Sequence, residues 1–388
     1  MKIADRIASI PPYLFAELDK RRAQVAARGV DVINLGIGDP DRPTFPGIVE
    51  RMRQEVVRPE HHAYPAYEGA RSFREACATY LSSRFGVDCD PDREIMAAIG
   101  SKEAIAHLIW AFVDRGDVAL IPDPAYPVVR AHTLFCGGEP YSLPLRAESG
   151  FLPDLEAIPA GVARRATILY LNYPNNPTAA VADLAFFERA VDWCRRKDVL
   201  LCHDAAYTEI TFDGFKAPSV LEVPGAKDVA IEIHSLSKTY NMTGWRIAFA
   251  AGSAAAIRAL GVIKTNTDSG PFTAVQMAAA EALLGTPPQV LHEQNELYAR
   301  RRDVMVEALR AAGVDAPRTR GSVYLWCPVP GGESSAAFCG RLLEETGVLV
   351  TPGNGYGAEG EGYFRISLTV PDERLREAAR RIRDARRR

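Results

Sequence analysis

The stretch HSLSKTYNMTGWR, residues 234–246, carries the strongest indication of fold and chemistry in this sequence. It follows the β-branched run VAIEIH, which is typical of a buried strand, so Lys238 is expected at a strand end with little water around it. A desolvated amine gives up its proton readily, and a neutral amine condenses with an aldehyde to form a Schiff base. Ser235 and Ser237 add hydroxyl groups, and Arg246 can hold a phosphate through a bidentate, charge-assisted pair.

A reactive amine beside donors for a phosphate indicates pyridoxal phosphate as the cofactor. Taken singly, such a lysine is more often a surface charge and such a serine pair a turn, so only the extended pattern carries weight. SLSK followed by GWR, with the arginine eight residues after the lysine, resembles the cofactor-lysine motif of class I and II aminotransferases. These are the aspartate aminotransferase-like enzymes of fold type I. The resemblance implies that Lys238 carries the cofactor.

The order of apolar runs predicts an α/β fold. VALIP, ATILYLNYP, VLLCHDAAY, VAIEIHSLSK and IAFAAG alternate with helices at about 126–135 and 183–197. This alternation predicts a mostly parallel central sheet flanked by helices, with ligands at the carboxyl ends of its strands. After about residue 281 the pattern changes to that of a smaller α+β domain.

We therefore divide the chain into three parts. Residues 1–45 are an N-terminal segment that packs with the small domain, residues 46–281 are the large cofactor-binding domain, and residues 282–388 are the small C-terminal domain. A GxGxxG pattern at residues 355–360 is followed by a strand pattern rather than the helix that dinucleotide binding requires, so we discard it.

Several polar or aromatic residues follow these strands, and the resemblance gives each a role. Tyr126 in DPAYP would stack on the pyridine ring, and Asn176 in NYPNNPT and Tyr207 in CHDAAY would bind its 3′ oxygen. Asp204 would pair with the pyridine nitrogen and keep it protonated, although an aspartate at a strand end is often only a helix cap. Ala179 stands where most relatives have glycine, which leaves the backbone angle of that turn open.

A second group of residues is expected to contact phosphate or substrate. Ser101, in IGSKEAIAHL, is predicted to cap a helix whose first N–H groups suit a phosphate, although an ordinary capped helix has the same pattern. Lys102 is a candidate for binding a second negative charge of the substrate. By resemblance, Gly38 and Arg365 would hold the substrate α-carboxylate. The glycines around residue 38 also suit a simple tight turn.

The loop YPAYEG, residues 64–69, is expected to act across a subunit interface. Tyr64 with Gly69 resembles a family signature in which the tyrosine hydroxyl reaches the cofactor phosphate of the other subunit. This resemblance implies a homodimer with shared active sites. Glu68, in the same loop, could bind a distal ammonium group of the substrate. Core packing for Tyr64, and simple surface charges for Glu68 and Lys102, are the alternatives.

Composition excludes several classes of partner. The chain has 388 residues, is 47% hydrophobic and has a net charge of −3, so we expect neither nucleic acid nor an anionic membrane as partner. No apolar run is long enough to span a bilayer and the N-terminus lacks a signal-peptide core, so we expect a cytoplasmic protein. Seven cysteines without a CxxC pair predict reduced thiols, and the histidines show no metal-ligand spacing, so we predict no metal.

Within the family, GSKEAIAHL, CHDAAYTEI and TPGNGYGAEGEGYFR are most similar to LL-diaminopimelate aminotransferases and related bacterial alanine aminotransferases. The resemblance implies ping-pong transfer of an amino group between an amino acid and a 2-oxo acid, with 2-oxoglutarate as acceptor and a place in lysine biosynthesis. An alanine or broad-specificity aminotransferase is the alternative. A pyridoxal-phosphate lyase and a non-enzymatic regulator also stay open, although no basic DNA-binding arm supports the regulator.

Overall fold

The computed structural model describes residues 1–7, 10 and 14–385. Its strands, in chain order, are β1 (Ile33–Asn34), β2 (Ile95–Ala98), β3 (Val118–Asp123), β4 (Glu139–Pro144), β5 (Ala166–Asn172), β6 (Leu200–Asp204), β7 (Ala230–Ser235), β8 (Ala248–Gly252), β9 (Tyr324–Pro328), β10 (Val348–Leu349), β11 (Thr351–Pro352) and β12 (Tyr363–Ser367).

The α-helices of the described residues are α1 (Leu14–Ala26), α2 (Pro46–Val56), α3 (Arg71–Phe85), α4 (Ser101–Phe112), α5 (Val128–Cys136), α6 (Ala160–Ala163), α7 (Leu184–Lys197), α8 (Leu236–Thr239), α9 (Ala254–Thr265), α10 (Thr273–Gly285), α11 (Pro288–Ala311), α12 (Ser335–Thr346) and α13 (Asp372–Ala385). The amphipathic pattern of residues 13–29 predicts a first helix, and its first residue, 13, lies outside the described residues.

The central sheet confirms the predicted α/β class. Its seven strands lie in the order β2-β8-β7-β6-β5-β3-β4, and the pairs β3/β4, β3/β5, β5/β6 and β6/β7 are parallel. Among the seven strands of this sheet, only β8 runs against its two neighbours, β2 and β7. The sheet is therefore mostly parallel, and the carboxyl ends of β5, β6 and β7 meet at one edge.

Apolar side chains of the strands alternate between two cores, as the two-residue period of a strand requires. In β5, Leu169 and Leu171 join the core that includes α3 and α7, whereas Ile168 and Tyr170 join the core that includes α4. Because both faces of β5 are buried, its sequence is a nearly continuous apolar run.

The local sequence explains where the flanking helices begin and end. Asp183 caps α7 by accepting a hydrogen bond from the Phe186 N–H at 2.8 Å, and α3 ends at Gly86 in the left-handed conformation. The prediction that Ser101 caps α4 is wrong. Ser101 is the first residue of the helix, and Gly100, with φ of +87°, holds the cap position without a side-chain hydrogen bond.

A smaller sheet carries the C-terminal part of the chain. Strands β11, β12 and β9 form an antiparallel sheet, and β1 of the N-terminal segment pairs in parallel with β10. The division at residues 45 and 281 stays a prediction. Helix α10 runs through residue 281 and packs against α2 and α3.

Two local predictions concern loops. Ala179 has a φ of +56°, so this alanine adopts the left-handed conformation that glycine favours. The segment around Gly355 forms two short 3-10 turns and leads into strand β12, which confirms that the GxGxxG pattern lacks the helix of a dinucleotide site.

The described helices also bear on membrane association. None of them, in the ranges given above, combines the length and apolar character needed to cross a bilayer. The basic helix α13 instead buries one apolar stripe, formed by Leu375, Ala378, Ala379 and Ile382. Its final arginines, at residues 386–388, lie outside the described residues.

The core that includes α3 and α7 can be tested at Trp193 of α7, which is 2% exposed. Trp193→Ala removes a fully packed indole and is expected to lower the free energy of unfolding by about 3–5 kcal/mol. Urea denaturation at fixed protein concentration measures the change. Trp193→Phe, which keeps most of the apolar volume, serves as the matched control and should cost less than half as much; equal losses would show that the indole volume is not what stabilises the domain.

Candidate active site

A cavity of about 350 Å³ lies at the carboxyl edge of the central sheet and reaches the small sheet through Tyr324 and Arg365. Most of the site residues predicted from the sequence line it. They are Gly38, Ser101, Lys102, Tyr126, Asn176, Asp204, Tyr207, Ser235, Ser237, Lys238, Arg246 and Arg365. Residues that are distant in the sequence therefore converge on one cavity.

Lys238 lies in the short helix α8, directly after β7. Its side chain is partly buried, and Nζ donates a hydrogen bond to the Gly38 carbonyl at 2.6 Å. The amine is thus held over the cavity by the N-terminal segment. The position agrees with the expectation of a lysine at a strand end.

Asp204 ends β6 and is 6% exposed. Its Oδ2 accepts a hydrogen bond from the Tyr170 hydroxyl at 3.0 Å, whereas Oδ1 is buried with no hydrogen-bond partner among the described residues. Burial raises the pKa of Asp204, while the Tyr170 hydroxyl, the nearby imidazoles of His203 and His234 and the Ala206 N–H act in the opposite direction. A buried carboxylate oxygen without a donor calls for a ligand that supplies one.

Asn172 connects Asp204 to the Asn176 loop, and the sequence analysis missed it. Its Nδ2 donates to the Asp204 carbonyl at 2.7 Å, and its Oδ1 accepts from the Asn176 N–H at 2.7 Å. One side chain therefore fixes both the end of β6 and the start of the loop. The available signal was its position, an amide directly at the end of an apolar strand.

Arg365 enters the cavity from β12 of the small sheet. Its Nη1 donates to Asn176 Oδ1 at 2.7 Å, and its Nη2 donates to the Gly36 carbonyl at 2.6 Å. The guanidinium stacks on the Tyr324 ring, with Cζ 4.0 Å from the ring centroid. The side chain is 1% exposed. This arrangement presents a fixed planar cation beside Asn176, which suits a carboxylate ligand.

Tyr324, also missed from the sequence, shapes the middle of the cavity. Its hydroxyl lies 3.1 Å from the Tyr207 hydroxyl, and burial raises the pKa of Tyr207 well above its ordinary value. A Cβ at Gly38 would overlap the Tyr324 ring and hydroxyl, so glycine is required there by close approach. Nothing in SVYLW distinguished this tyrosine from a core aromatic.

Four donors on one side of the cavity could hold a phosphate. Ser101, Ser235, Ser237 and Arg246 all line it. Arg246 has a φ of +56° and donates to the Thr243 carbonyl at 2.9 Å. A Cβ at Gly100 would overlap the guanidinium, so the turn before α4 packs directly against this arginine. Backbone N–H groups, hydroxyls and a guanidinium together suit an anion.

Two predicted residues are not brought into the cavity of this protomer. The Tyr64 side chain is 89% exposed, and Glu68 is exposed on the same loop. Their proposed contacts therefore require a second subunit. The other lining residues that the sequence analysis missed are Ile37, Ala206 and Thr243.

Cysteines and metal-ligand residues lie away from this chemistry. Within the described residues all seven cysteines are unpaired, and all but Cys136 are buried. Glu103, His107 and Asp268 form the one group of metal-ligand type found there. The buried ammonium of Lys264 lies 2.9 Å from Glu103 and 3.1 Å from Asp268, so the group already contains a cation.

Comparison with known proteins agrees with this geometry. The family model for aminotransferase class I and II matches residues 30–382. The chain is 54% identical over 380 residues to LL-diaminopimelate aminotransferase of Desulforudis audaxviator, covering 98% of this chain and 97% of that protein. It is 52% identical over 386 residues to LL-diaminopimelate aminotransferase 2 of Trichormus variabilis, covering 99% of each.

A solved structure gives the same assignment. Substrate-bound BacF from Bacillus subtilis superposes with a TM-score of 0.94 at 35% identity, covering 99% of this chain and 98% of that chain. The family match spans both sheets and the cavity between them. This chain therefore belongs to the class I and II aminotransferases.

Proposed function

We propose that this aminotransferase uses pyridoxal 5′-phosphate to move an amino group from LL-diaminopimelate to 2-oxoglutarate, or in the reverse direction, in lysine biosynthesis. The observation that carries the cofactor assignment is the buried Oδ1 of Asp204, which has no donor among the described residues. A protonated pyridine nitrogen would supply that donor as a charge-assisted hydrogen bond.

The remaining residues fit the same cofactor. Ser101, Ser235, Ser237 and Arg246 would hold its phosphate, Tyr126 would stack on its ring, and Asn176 and Tyr207 would bind its 3′ oxygen. Asn176 and Tyr207 already bond to Arg365 and Tyr324, so these contacts would be exchanged or shared when the cofactor binds. When bound, the cofactor supplies an aldehyde for the substrate amine and a ring that accepts the electrons of the Cα–H bond.

The chain's own groups would then perform three tasks. Arg365 would bind the substrate α-carboxylate through a bidentate pair, with Gly38 leaving room for it. The Nζ of Lys238 would take the proton from the substrate Cα as general base and then, as general acid, deliver it to the cofactor's C4′ carbon. Asp204, with Tyr207 and Asn176, would hold the ring in a fixed position and charge state during both transfers.

The choice of amino donor is inferred from Lys102, Glu68 and the relatives' names. Lys102 lines the active-site cavity and also a second cavity of about 650 Å³, so its ammonium could bind a carboxylate at the far end of a long substrate. Glu68 of the partner subunit would bind a distal ammonium. LL-diaminopimelate repeats the amino-acid group at both ends, and relatives more than half identical over nearly the whole chain are named for it.

Assembly and location complete the proposal. Tyr64 is exposed here but would reach the cofactor phosphate of a second subunit, which makes the enzyme a homodimer with shared sites. Unpaired cysteines suit a reducing compartment, and we place the reaction in the cytoplasm.

The first prediction concerns Lys238. Lys238→Ala should lose transamination while remaining folded, and borohydride should no longer attach the cofactor to the chain, because no amine remains to form the Schiff base. Mass spectrometry of the reduced protein measures the attachment. Lys216→Ala, which alters an exposed lysine, is the control and should keep both properties. Borohydride labelling that persists in Lys238→Ala would place the Schiff base on another lysine.

The second prediction concerns the shared site. Tyr64→Phe and Lys238→Ala should each be inactive or strongly impaired, because each removes one half of every active site in a homodimer. Mixed heterodimers contain one site with both native residues and should regain up to about a quarter to a half of the wild-type rate. Differently tagged subunits allow exchange to be measured independently. Absence of activity despite exchange would contradict a contribution from Tyr64 in trans.

The third prediction concerns the donor. Glu68→Ala and Lys102→Ala should each lower kcat/KM for LL-diaminopimelate by at least about tenfold, or about 1.4 kcal/mol, and should affect glutamate less. Glu156→Ala, at an exposed glutamate distant from the cavity, is the control. Equal losses on both donors, or a wild-type enzyme faster with alanine, would favour an alanine aminotransferase and surface roles for both charges.

A further inference from the structure

A buried carboxylate lies behind the proposed cofactor site. Glu232 of β7 is 0% exposed and accepts four hydrogen bonds, from His203 Nδ1 at 2.8 Å, His234 Nε2 at 2.6 Å, Ser219 Oγ at 2.7 Å and the Val220 N–H at 2.9 Å. Two donors reach each oxygen. Burial opposes ionisation, but these donors and the two imidazoles hold the pKa of Glu232 well below its ordinary value.

An ionised carboxylate at this depth requires a compensating positive charge nearby. His203, which bonds to Glu232 through Nδ1, can carry such a charge. Its second nitrogen, Nε2, lies 3.3 Å from the Tyr173 N–H and 3.1 Å from the Tyr173 carbonyl. A neutral ring would accept from the N–H, and a protonated ring would donate to the carbonyl. The His203 ring is therefore satisfied in both charge states.

Other ionisable groups near Glu232 and His234 do not compensate the charge of Glu232. The Tyr80 ring lies 5.8 Å from that of His234, and Cys89 lies close to Glu232. Burial raises the pKa of Tyr80 well above its ordinary value and that of Cys89 to about 12, so both are neutral near pH 7.

More distant charges in this region are already paired with one another. Arg84 bonds Glu209 at 2.9 Å, and Lys227 bonds Glu94 at 2.9 Å. Among the residues that the structure describes, the imidazoles of His203 and His234 thus remain as the groups that directly compensate the Glu232 charge.

This buried charge is connected to each strand end that forms the cofactor site. His203 directly precedes Asp204, and His234 directly precedes Ser235. Asp204 is the register partner of Ile233, which lies between Glu232 and His234. His203 also contacts Tyr173, at the start of the loop that carries Asn176. Positive charge on the imidazoles acts on Asp204 against the effect of its burial.

We propose that Glu232, His203 and His234 form a positioning cluster whose imidazolium charge keeps the Asp204 carboxylate ionised for the pyridine nitrogen of the cofactor. The proposal rests on the proposed function, since it concerns how the chain binds pyridoxal phosphate. None of the three side chains lines the cavity among its described residues, so they act through Asp204 and not on the substrate. An ionised Asp204 forms a stronger hydrogen bond to a protonated pyridine ring than a neutral Asp204 does. Removing positive charge near Asp204 would favour its neutral form and so weaken that bond.

Two substitutions separate charge from hydrogen bonding. His203→Asn places an amide N–H where imidazole Nδ1 lies, and His234→Gln places one where Nε2 lies, so each keeps a donor to Glu232 but cannot be protonated. Ser219→Ala is the matched control, because it removes one donor from Glu232 without removing a charge. Folding is followed by thermal denaturation of each full-length protein.

The measurements are the dissociation constant for pyridoxal phosphate, from titration of cofactor-stripped protein, and the midpoint of the pH titration of bound-cofactor absorbance. Both histidine variants should raise the dissociation constant at least about tenfold and move the midpoint up by about half a pH unit or more, because a site with less positive charge holds its protons more tightly. Ser219→Ala should leave both within about twofold and about 0.2 pH unit of wild type.

The possible results distinguish the proposals. If both histidine variants lower only the melting temperature, or if Ser219→Ala moves the midpoint as far as they do, the cluster is structural and the inference is wrong. If only one histidine variant folds, its cofactor affinity and midpoint decide the question by the same criteria. Wild-type protein that fails to bind pyridoxal phosphate would instead refute the proposed function.

Discussion

The parallel register of β5, β6 and β7 is the constraint on which the active site depends. Asn172 and Asp204 are register partners at the ends of β5 and β6, and Asp204 pairs with Ile233 of β7. Helical crossovers bring every such strand end to the same edge, so side chains far apart in sequence become neighbours. The bond from Asn172 to the Asp204 carbonyl then fixes the two ends relative to each other.

The small sheet and the N-terminal segment complete a site that the central sheet alone leaves open. Arg365 bonds to Asn176 beside the central sheet and to Gly36 of the N-terminal segment, while Gly38 accepts from Lys238. These side chains already bond to other groups of the chain. A carboxylate that binds Arg365 would therefore exchange hydrogen bonds there rather than add to them, so its net contribution would come from charge and fixed geometry.

Two buried carboxylates on adjacent strands show how hydrogen-bond satisfaction separates structural from ligand-binding roles. Glu232 receives donors on both oxygens, whereas Asp204 keeps one buried oxygen without a donor among the described residues. In a low-dielectric interior a satisfied carboxylate stabilises a single packing, and an unsatisfied one is costly until a donor arrives. The resemblance singled out Asp204 in the sequence, whereas no motif indicated a role for Glu232, which lies inside β7.

The sequence by itself determined the α/β class, the approximate limits of α5 and α7 and most of the cavity residues, because strand periodicity, helix signals and the order of motifs around Lys238 are local properties of the chain. Tertiary structure alone decided the roles of Asn172, Tyr324 and the Glu232 cluster. The contacts of Asn172 and Glu232 depend on the register of neighbouring strands. Tyr324 shapes the cavity because it lies so close to Gly38 that a side chain at residue 38 would overlap it. The cap of α4 was mistaken because Gly100 packs against Arg246, a residue distant in sequence, so the turn needed glycine rather than a serine cap. Contacts of this kind join residues that no local pattern connects, and only the folded chain brings them together.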